Sequence, residues 1–184
     1  MKIAVVSDTH GDLGSWRLAW ERHLGGADLI LHAGDVLYHG PRNRLAGGYD
    51  GMGLAEELNL CPLPLLIACG NCDAEVDGAV LRQPLFLPGL IHRADWGNIF
   101  VHHGDRLNEE KIRQLADLYG LKMVVSGHTH LYGLQEIGGV LFLNPGSLSL
   151  PKDPSHTRSY AILEGKKVSL YSLEDGRVLA EAEL

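Results

Sequence analysis

The chain reads as a succession of short apolar runs, each giving way to a polar turn. Residues 2–6 (KIAVV) lead into Ser-Asp-Thr-His-Gly-Asp, and residues 28–33 (DLILHA) into Gly-Asp. Residues 63–68 (LPLLIA) lead into Cys-Gly-Asn-Cys-Asp, and residues 98–102 (NIFVH) into His-Gly-Asp. Residues 121–125 (LKMVV) lead into Ser-Gly-His-Thr-His, and residues 140–144 (VLFLN) into Pro-Gly-Ser. Runs this short and continuous suit strands covered on both faces. Helical spacing lies between them. Trp16, Ala19, Trp20 and His23 mark a helix from about Ser15 to His23, and residues 51–59 read as a second. A third starts at Asn108 as cap, with Glu109 and Glu110 in its first turn. Ile112, Leu115, Ala116 and Tyr119 form its apolar stripe, and Gly120 stops it. The tail changes character. SYAILE, KKVSLYSL and RVLAEAEL are short strands separated by Glu-Gly and Asp-Gly turns, a meander.

Strands joined by helices predict a parallel or mixed sheet with both faces covered, and the C-terminal meander predicts a second sheet. The fold class is therefore α/β, with a two-sheet core flanked by helices. At 184 residues, without a linker or repeat, the chain reads as one domain spanning residues 1–184.

Charge narrows the partners. Sixteen Lys and Arg stand against 23 Asp and Glu, a net charge of -7, with no basic run. Duplex nucleic acid, which needs clustered cations to neutralise its phosphates, is not the expected partner. No apolar stretch is long enough for a membrane span, and the opening MKIAVVSDTH does not read as a signal peptide. Three cysteines, Cys61, Cys69 and Cys72, do not make a disulfide framework, so a reducing cytoplasm is the expected compartment. The Cys69-to-Cys72 spacing formally matches a redox or zinc motif but lacks a second pair.

The chemistry lies where the strands end. Five strand ends deliver metal-ligand types: Asp8 and His10, Asp35, Asn71, His103, then His128 and His130. Any one of them reads equally well as a cap or a turn residue; five in agreement do not. Ligands in α/β sheets bind at the carboxyl ends of strands, so these residues are expected to converge. Residues two apart on extended backbone point the same way, which would let Asp8 with His10, and His128 with His130, act as pairs. His23, His32, His92, His102 and His156 are left as helix-face, strand or surface residues. Four imidazoles, two carboxylates and one amide are too poor in carboxylate for calcium and too many for one zinc. They suit two transition metals that share a carboxylate, the arrangement used for in-line displacement at phosphorus.

The series DTH, GDV, GNCD, HHG and GHTH, in this order, resembles the calcineurin-like metallophosphoesterases. The stretches GDVLYHGPRN, GNCDAEVD and NPGSLSLPK are closer still to the branch of small bacterial YfcE-type phosphodiesterases. The resemblance implies a four-layer α/β/β/α sandwich of two mixed β-sheets. It also implies a phosphodiesterase that uses two divalent metals, manganese first, with nickel, cobalt, zinc or iron as other candidates. One metal would take Asp8, His10 and His130, the other Asn71, His103 and His128, and Asp35 would bridge them. A hydroxide between the metals would attack a small phosphodiester, making Asp35 and Asn71 catalytic as well as metal-binding.

This chain departs from the wider superfamily at Cys72, where many members carry a histidine that serves as general acid or phosphate ligand. It departs from the branch at Asp105, where HGH is usual. The loop YHGPRN places His39, Arg42 and Asn43 close behind Asp35; together with Cys72 they are the candidate substrate contacts, although a solvated loop is an equally good reading. A phosphomonoesterase, a nuclease, and a non-catalytic scaffold such as the one this fold provides in the retromer coat stay as alternatives. The complete ligand set argues against the scaffold, and the acidic balance against the nuclease. Homo-oligomerisation is left open.

Overall fold

A computed structural model describes all 184 residues. The strands are β1 (Lys2–Val6), β2 (Leu29–His32), β3 (Leu65–Ala68), β4 (Leu85–Phe86), β5 (Gly89–Ala94) and β6 (Gly97–His102), followed by β7 (Leu121–Val125), β8 (Tyr132–Ile137), β9 (Val140–Pro145), β10 (Ser159–Glu164), β11 (Lys167–Ser172) and β12 (Val178–Glu183). The helices are α1 (Leu13–Arg22), α2 (Gly51–Leu60) and α3 (Glu109–Tyr119). Each helix begins at a side-chain cap that accepts a backbone N–H: Asp12 from Ser15, Asp50 from Gly53, and Asn108 from Lys111. Gly120 ends α3 in the left-handed conformation, as expected of a glycine stop.

The strands form two mixed sheets. The first has seven strands in the order β12-β11-β10-β1-β2-β3-β4, and the second five in the order β5-β6-β7-β9-β8. β1, β2, β3 and β4 run parallel, as do β6, β7 and β9. The expectation that the C-terminal meander makes the second sheet is corrected here. β10 pairs antiparallel with β1, so the meander extends the first sheet. The second sheet is built instead from the middle of the chain. Alternation within β10 explains the pairing: Tyr160 and Ile162 face the helix layer while Ala161 and Leu163 face the other sheet, and both faces are covered.

Three apolar layers follow. Trp16, Ala19, Leu54 and Leu58 of α1 and α2 pack on Ala4, Val6, Ile30 and Ile67 of the first sheet. Ile3, Val5, Leu29 and Leu31 meet Ile99, Val101, Met123 and Val125 between the sheets. On the far side Ile112, Leu115 and Ala116 of α3 lie on Phe100, Leu121 and Val124, while Tyr119, placed in that stripe by spacing, remains exposed. The order helix, sheet, sheet, helix is the four-layer sandwich. It sets the carboxyl ends of β1, β2, β3, β6 and β7 at one edge, because the strands parallel to one another within each sheet all emerge there.

Candidate metal centre

All seven candidate ligands lie together at that edge. Asp8 Oδ1 is 3.8 Å from His10 Nε2 and 3.3 Å from His130 Nε2. The two imidazole nitrogens are themselves 3.3 Å apart. On the other side, Asn71 Oδ1 lies 3.1 Å from His103 Nε2 and 2.7 Å from His128 Nδ1. Asp35 Oδ2 stands between the groups, 3.7 Å from His10 Nε2 and 3.4 Å from His103 Nε2. Donor atoms about 2.1 Å from a shared cation and at right angles to each other lie about 3 Å apart. The second group has that spacing, and the first is wider, at 3.3–3.8 Å.

The imidazoles are held in one orientation by the backbone. Nδ1 of His10 donates to Tyr38 O at 2.7 Å, Nδ1 of His103 donates to Ala33 O at 2.8 Å, and Nδ1 of His130 donates to Leu150 O. A proton held on Nδ1 leaves the Nε2 lone pair facing the site, the usual outer support of a metal-bound histidine. His128 differs, since its Nδ1 faces Asn71.

The local backbone corrects one part of the sequence argument. Asp8, His10, Asp35, His128 and His130 all have positive φ, at 52°, 44°, 58°, 68° and 59°. They are left-handed turn residues, so strand alternation does not pair Asp8 with His10 or His128 with His130. β1 ends at Val6 and β7 at Val125, so each pair stands on the turn that follows its strand, and the turn brings both side chains of a pair to the site. Asp and His tolerate this conformation better than most residues, yet it costs stability, and such strain gathers at functional sites. Close backbone approach is needed too. A Cβ on Gly127 would lie 2.0 Å from Ser7 Oγ and 2.7 Å from Asp8 Oδ2.

The electrostatics call for a cation. Asp8 is fully buried, and its Oδ1 has no hydrogen-bond partner. Burial pushes its carboxyl up to about 7, against the pull of a nearby His103 charge. For Asp35 burial acts in the same upward sense, but the His103 hydrogen bond and charge, with the N–H of Cys72, overturn it and hold the carboxyl well below the usual range. Burial disfavours charge on His103, yet its bond to Asp35 and the charge of Asp8 lift it to about 9. A proton on His103 thus does for two buried carboxylates what a cation would do better. The unpartnered oxygen, the oriented lone pairs and the donor spacing fit a divalent metal.

The candidate substrate contacts divide. A cavity of about 610 Å³ opens beside the centre, lined by Arg42, Asn43 and Cys72 among others. His39 is not among its lining residues; the ring packs edge-on against Tyr38 and Tyr49. The Asn43 amide donates to His39 O at 2.8 Å and so closes its own loop. Cys72 donates its backbone N–H to Asp35 Oδ1 at 2.8 Å, and burial, then the charge of Asp35, pushes its thiol up to about 12. Asp105 pairs with Arg106, which reaches Gly70 O at 3.5 Å; neither supplies a donor to the seven-residue cluster.

Three residues that the sequence reasoning passed over also matter. Tyr38 and Lys152 line the cavity. Asp73 accepts backbone N–H groups from Asp35, Val36 and Gly70 at 2.9, 2.7 and 2.7 Å, locking the second strand end to the third. A carboxylate two residues after Asn71 was the only local signal for it.

A family model described as the calcineurin-like phosphoesterase superfamily domain matches residues 1–167. The chain is 34% identical to phosphodiesterase YfcE of Escherichia coli K12 over 185 aligned residues, covering all of this chain and 98% of that protein. A solved structure of YfcE, a phosphoesterase from E. coli, superposes with a TM-score of 0.85 at 32% identity, covering 100% of this chain and 99% of that one. Vacuolar protein sorting 29 from Cryptosporidium parvum, at 22% identity and a TM-score of 0.69 over 100% and 97% of the two chains, shares the fold.

Proposed function

The chain belongs to the calcineurin-like phosphoesterase superfamily, and on that premise we propose that it is a binuclear phosphodiesterase acting on small phosphodiesters. The observation that carries the reading is the meeting of two donor groups at the single oxygen Asp35 Oδ2. Asp8, His10 and His130 would hold one divalent ion and Asn71, His103 and His128 the other, with Asp35 shared and manganese the first choice. Such a pair supplies positive charge for the phosphoryl oxygens and makes water acidic enough to serve as a nucleophile at neutral pH.

The chain's own groups do the positioning. Carbonyls of Tyr38, Ala33 and Leu150 fix three imidazoles. The N–H of Cys72 fixes Asp35 Oδ1 and leaves Oδ2 to the centre. Asn71 brings its carbonyl oxygen between His103 and His128. Cys72 stands where many superfamily members carry a histidine. Cys72 lines the cavity, but a thiol pushed up to about 12 is a poor proton donor and is not a nucleophile at neutral pH. Diesters with good leaving groups are therefore preferred to monoesters. The three cysteines are free, which suits a reducing cytoplasm.

The test is a matched aryl monoester and diester, assayed with metal-stripped protein reloaded with manganese, nickel, cobalt, zinc or magnesium. The expected result is higher kcat/KM on the diester, greatest with manganese. Preference for the monoester overturns the diesterase reading, and no turnover with any metal returns the scaffold.

A further inference from the structure

The cavity beside the centre holds two cations without acidic partners. Arg42 comes from the loop after β2 and Lys152 from the segment between β9 and β10, and both line the same space. Neither enters an ion pair within 4.0 Å. Two carboxylates share the lining, Asp35 and Asp73. Asp35 faces the histidines, and Asp73 is already satisfied by three backbone N–H groups.

Lys152 is placed by a fixed strap. The hydroxyls of Ser147 and Ser149 both donate to Asp8 O, at 2.7 and 3.0 Å, so the strap hangs from the first strand end. The Lys152 N–H donates to His130 O at 3.2 Å, which ties it to the fifth. Asp153 then accepts from the N–H groups of Ser155 and Thr157 and closes the next turn. Lys152 shares the cavity wall with His128 and His130, which puts it beside the centre.

A phosphodiester carries one negative charge, and the centre itself answers it. Two further cations in the same cavity are matched to a second anion on the same substrate. Arginine offers a planar fork and lysine a point charge, the pair commonly found around phosphate. We propose that Arg42 and Lys152 form a subsite for a second phosphate group, so that the enzyme selects phosphodiesters that carry an additional phosphate monoester. The inference rests on the diesterase reading above and names its substrate class.

The test uses the full chain loaded with manganese and two p-nitrophenyl esters: that of thymidine 5′-phosphate, and the same compound phosphorylated at the 3′ oxygen. The wild type should show about tenfold or higher kcat/KM on the phosphorylated ester, since a charge-assisted contact is worth about that much. Arg42→Gln and Lys152→Gln should each erode the ratio of the two, mainly through KM, and the double variant should bring it near unity. Calorimetric titration gives a second reading, with thymidine 3′,5′-bisphosphate binding more tightly than thymidine 5′-phosphate, by a margin that shrinks in the variants and at high salt. A wild-type ratio near unity, or a ratio that survives the double substitution, overturns the subsite. If neither ester is cleaved by metal-loaded protein, the diesterase reading fails, and the calorimetric margin alone then decides the subsite: equal affinity for the two nucleotides overturns it.

Discussion

Replacing Gly70 with alanine puts a methyl group where the centre leaves no room. A Cβ there would lie 2.2 Å from Asp35 Oδ1 and 2.5 Å from Asp35 N, and Gly70 is not in the left-handed conformation that itself disfavours alanine. Ordinary contact is about 3.4 Å, so the Asp35 carboxylate or the 70–72 turn has to move by about 1 Å. Three hydrogen bonds resist that movement: Cys72 N–H to Asp35 Oδ1 at 2.8 Å, and the N–H groups of Asp35 and Gly70 to Asp73 at 2.9 and 2.7 Å. Overpacking with partial loss of these bonds costs about 2–3 kcal/mol of stability. Displacement of a catalytic group by about 1 Å costs on the order of 10²-fold in kcat/KM. The assay is kcat/KM on an aryl diester, with metal content and urea denaturation measured on the same preparations. Gly78→Ala is the control, since nothing lies within 4 Å of its Cβ. If Gly70→Ala keeps wild-type turnover and wild-type metal content, the two strand ends are not pinned through Asp35 and the reasoning is refuted.

Other outcomes follow from the same geometry. Asp35→Asn should lose both metal and turnover, whereas Asp105→Asn, which disturbs only the pair with Arg106, should keep most of each; equal losses in metal titration and kcat/KM would show the ligand assignment around HHGD to be wrong. Cys72→Ala should retain much of the diesterase activity, and Cys72→His should raise monoesterase relative to diesterase kcat/KM; complete loss in a folded, metal-loaded Cys72→Ala restores a chemical role for the thiol. His32 gives a pH signature. Its Nδ1 accepts from Gly34 N–H at 3.0 Å, so Nε2–H donates to Thr9 Oγ1 at 3.0 Å, and burial, then the charge of His103, holds the ring down to about 3. The folded state therefore takes up this proton less readily than the unfolded one. The stability that a neutral His32 contributes is complete above about pH 6.5 and is lost as pH falls toward 3, by about 2–3 kcal/mol between pH 6.5 and 4.5. The stability gap between wild type and His32→Asn, read by urea denaturation of metal-free protein, should narrow over that interval; a constant gap contradicts a neutral His32.

Much of this was legible because it is local. Apolar runs ending in Asp, Asn or His, with glycine beside them, located every strand that feeds the centre, and Asn108 set the start of α3, whereas the Asp12 cap that starts α1 at Leu13 was missed. The illegible part is non-local. The turn after Glu164 says that β10 and β11 form a hairpin, but nothing in SYAILE says that its other neighbour is β1, more than 150 residues earlier. β5 and β8 were missed because each lies at an edge of the second sheet with much of its surface exposed, so neither gives an apolar run. The left-handed turns at Asp8 and His10 are invisible in residue type, since both residues are also common on extended backbone. Lys152 carries no signal of its own. It comes to the cavity beside the centre on a strap bound to the carbonyls of Asp8 and His130.

Metal stoichiometry tests the central claim most directly. Protein stripped with chelator and then titrated with manganese should bind two ions per chain by elemental analysis, and diesterase activity should rise until the second is bound. That number follows from the proposed reading, in which the donor groups on either side of Asp35 Oδ2 hold one ion each. Saturation at one ion or fewer with full activity would contradict the binuclear account.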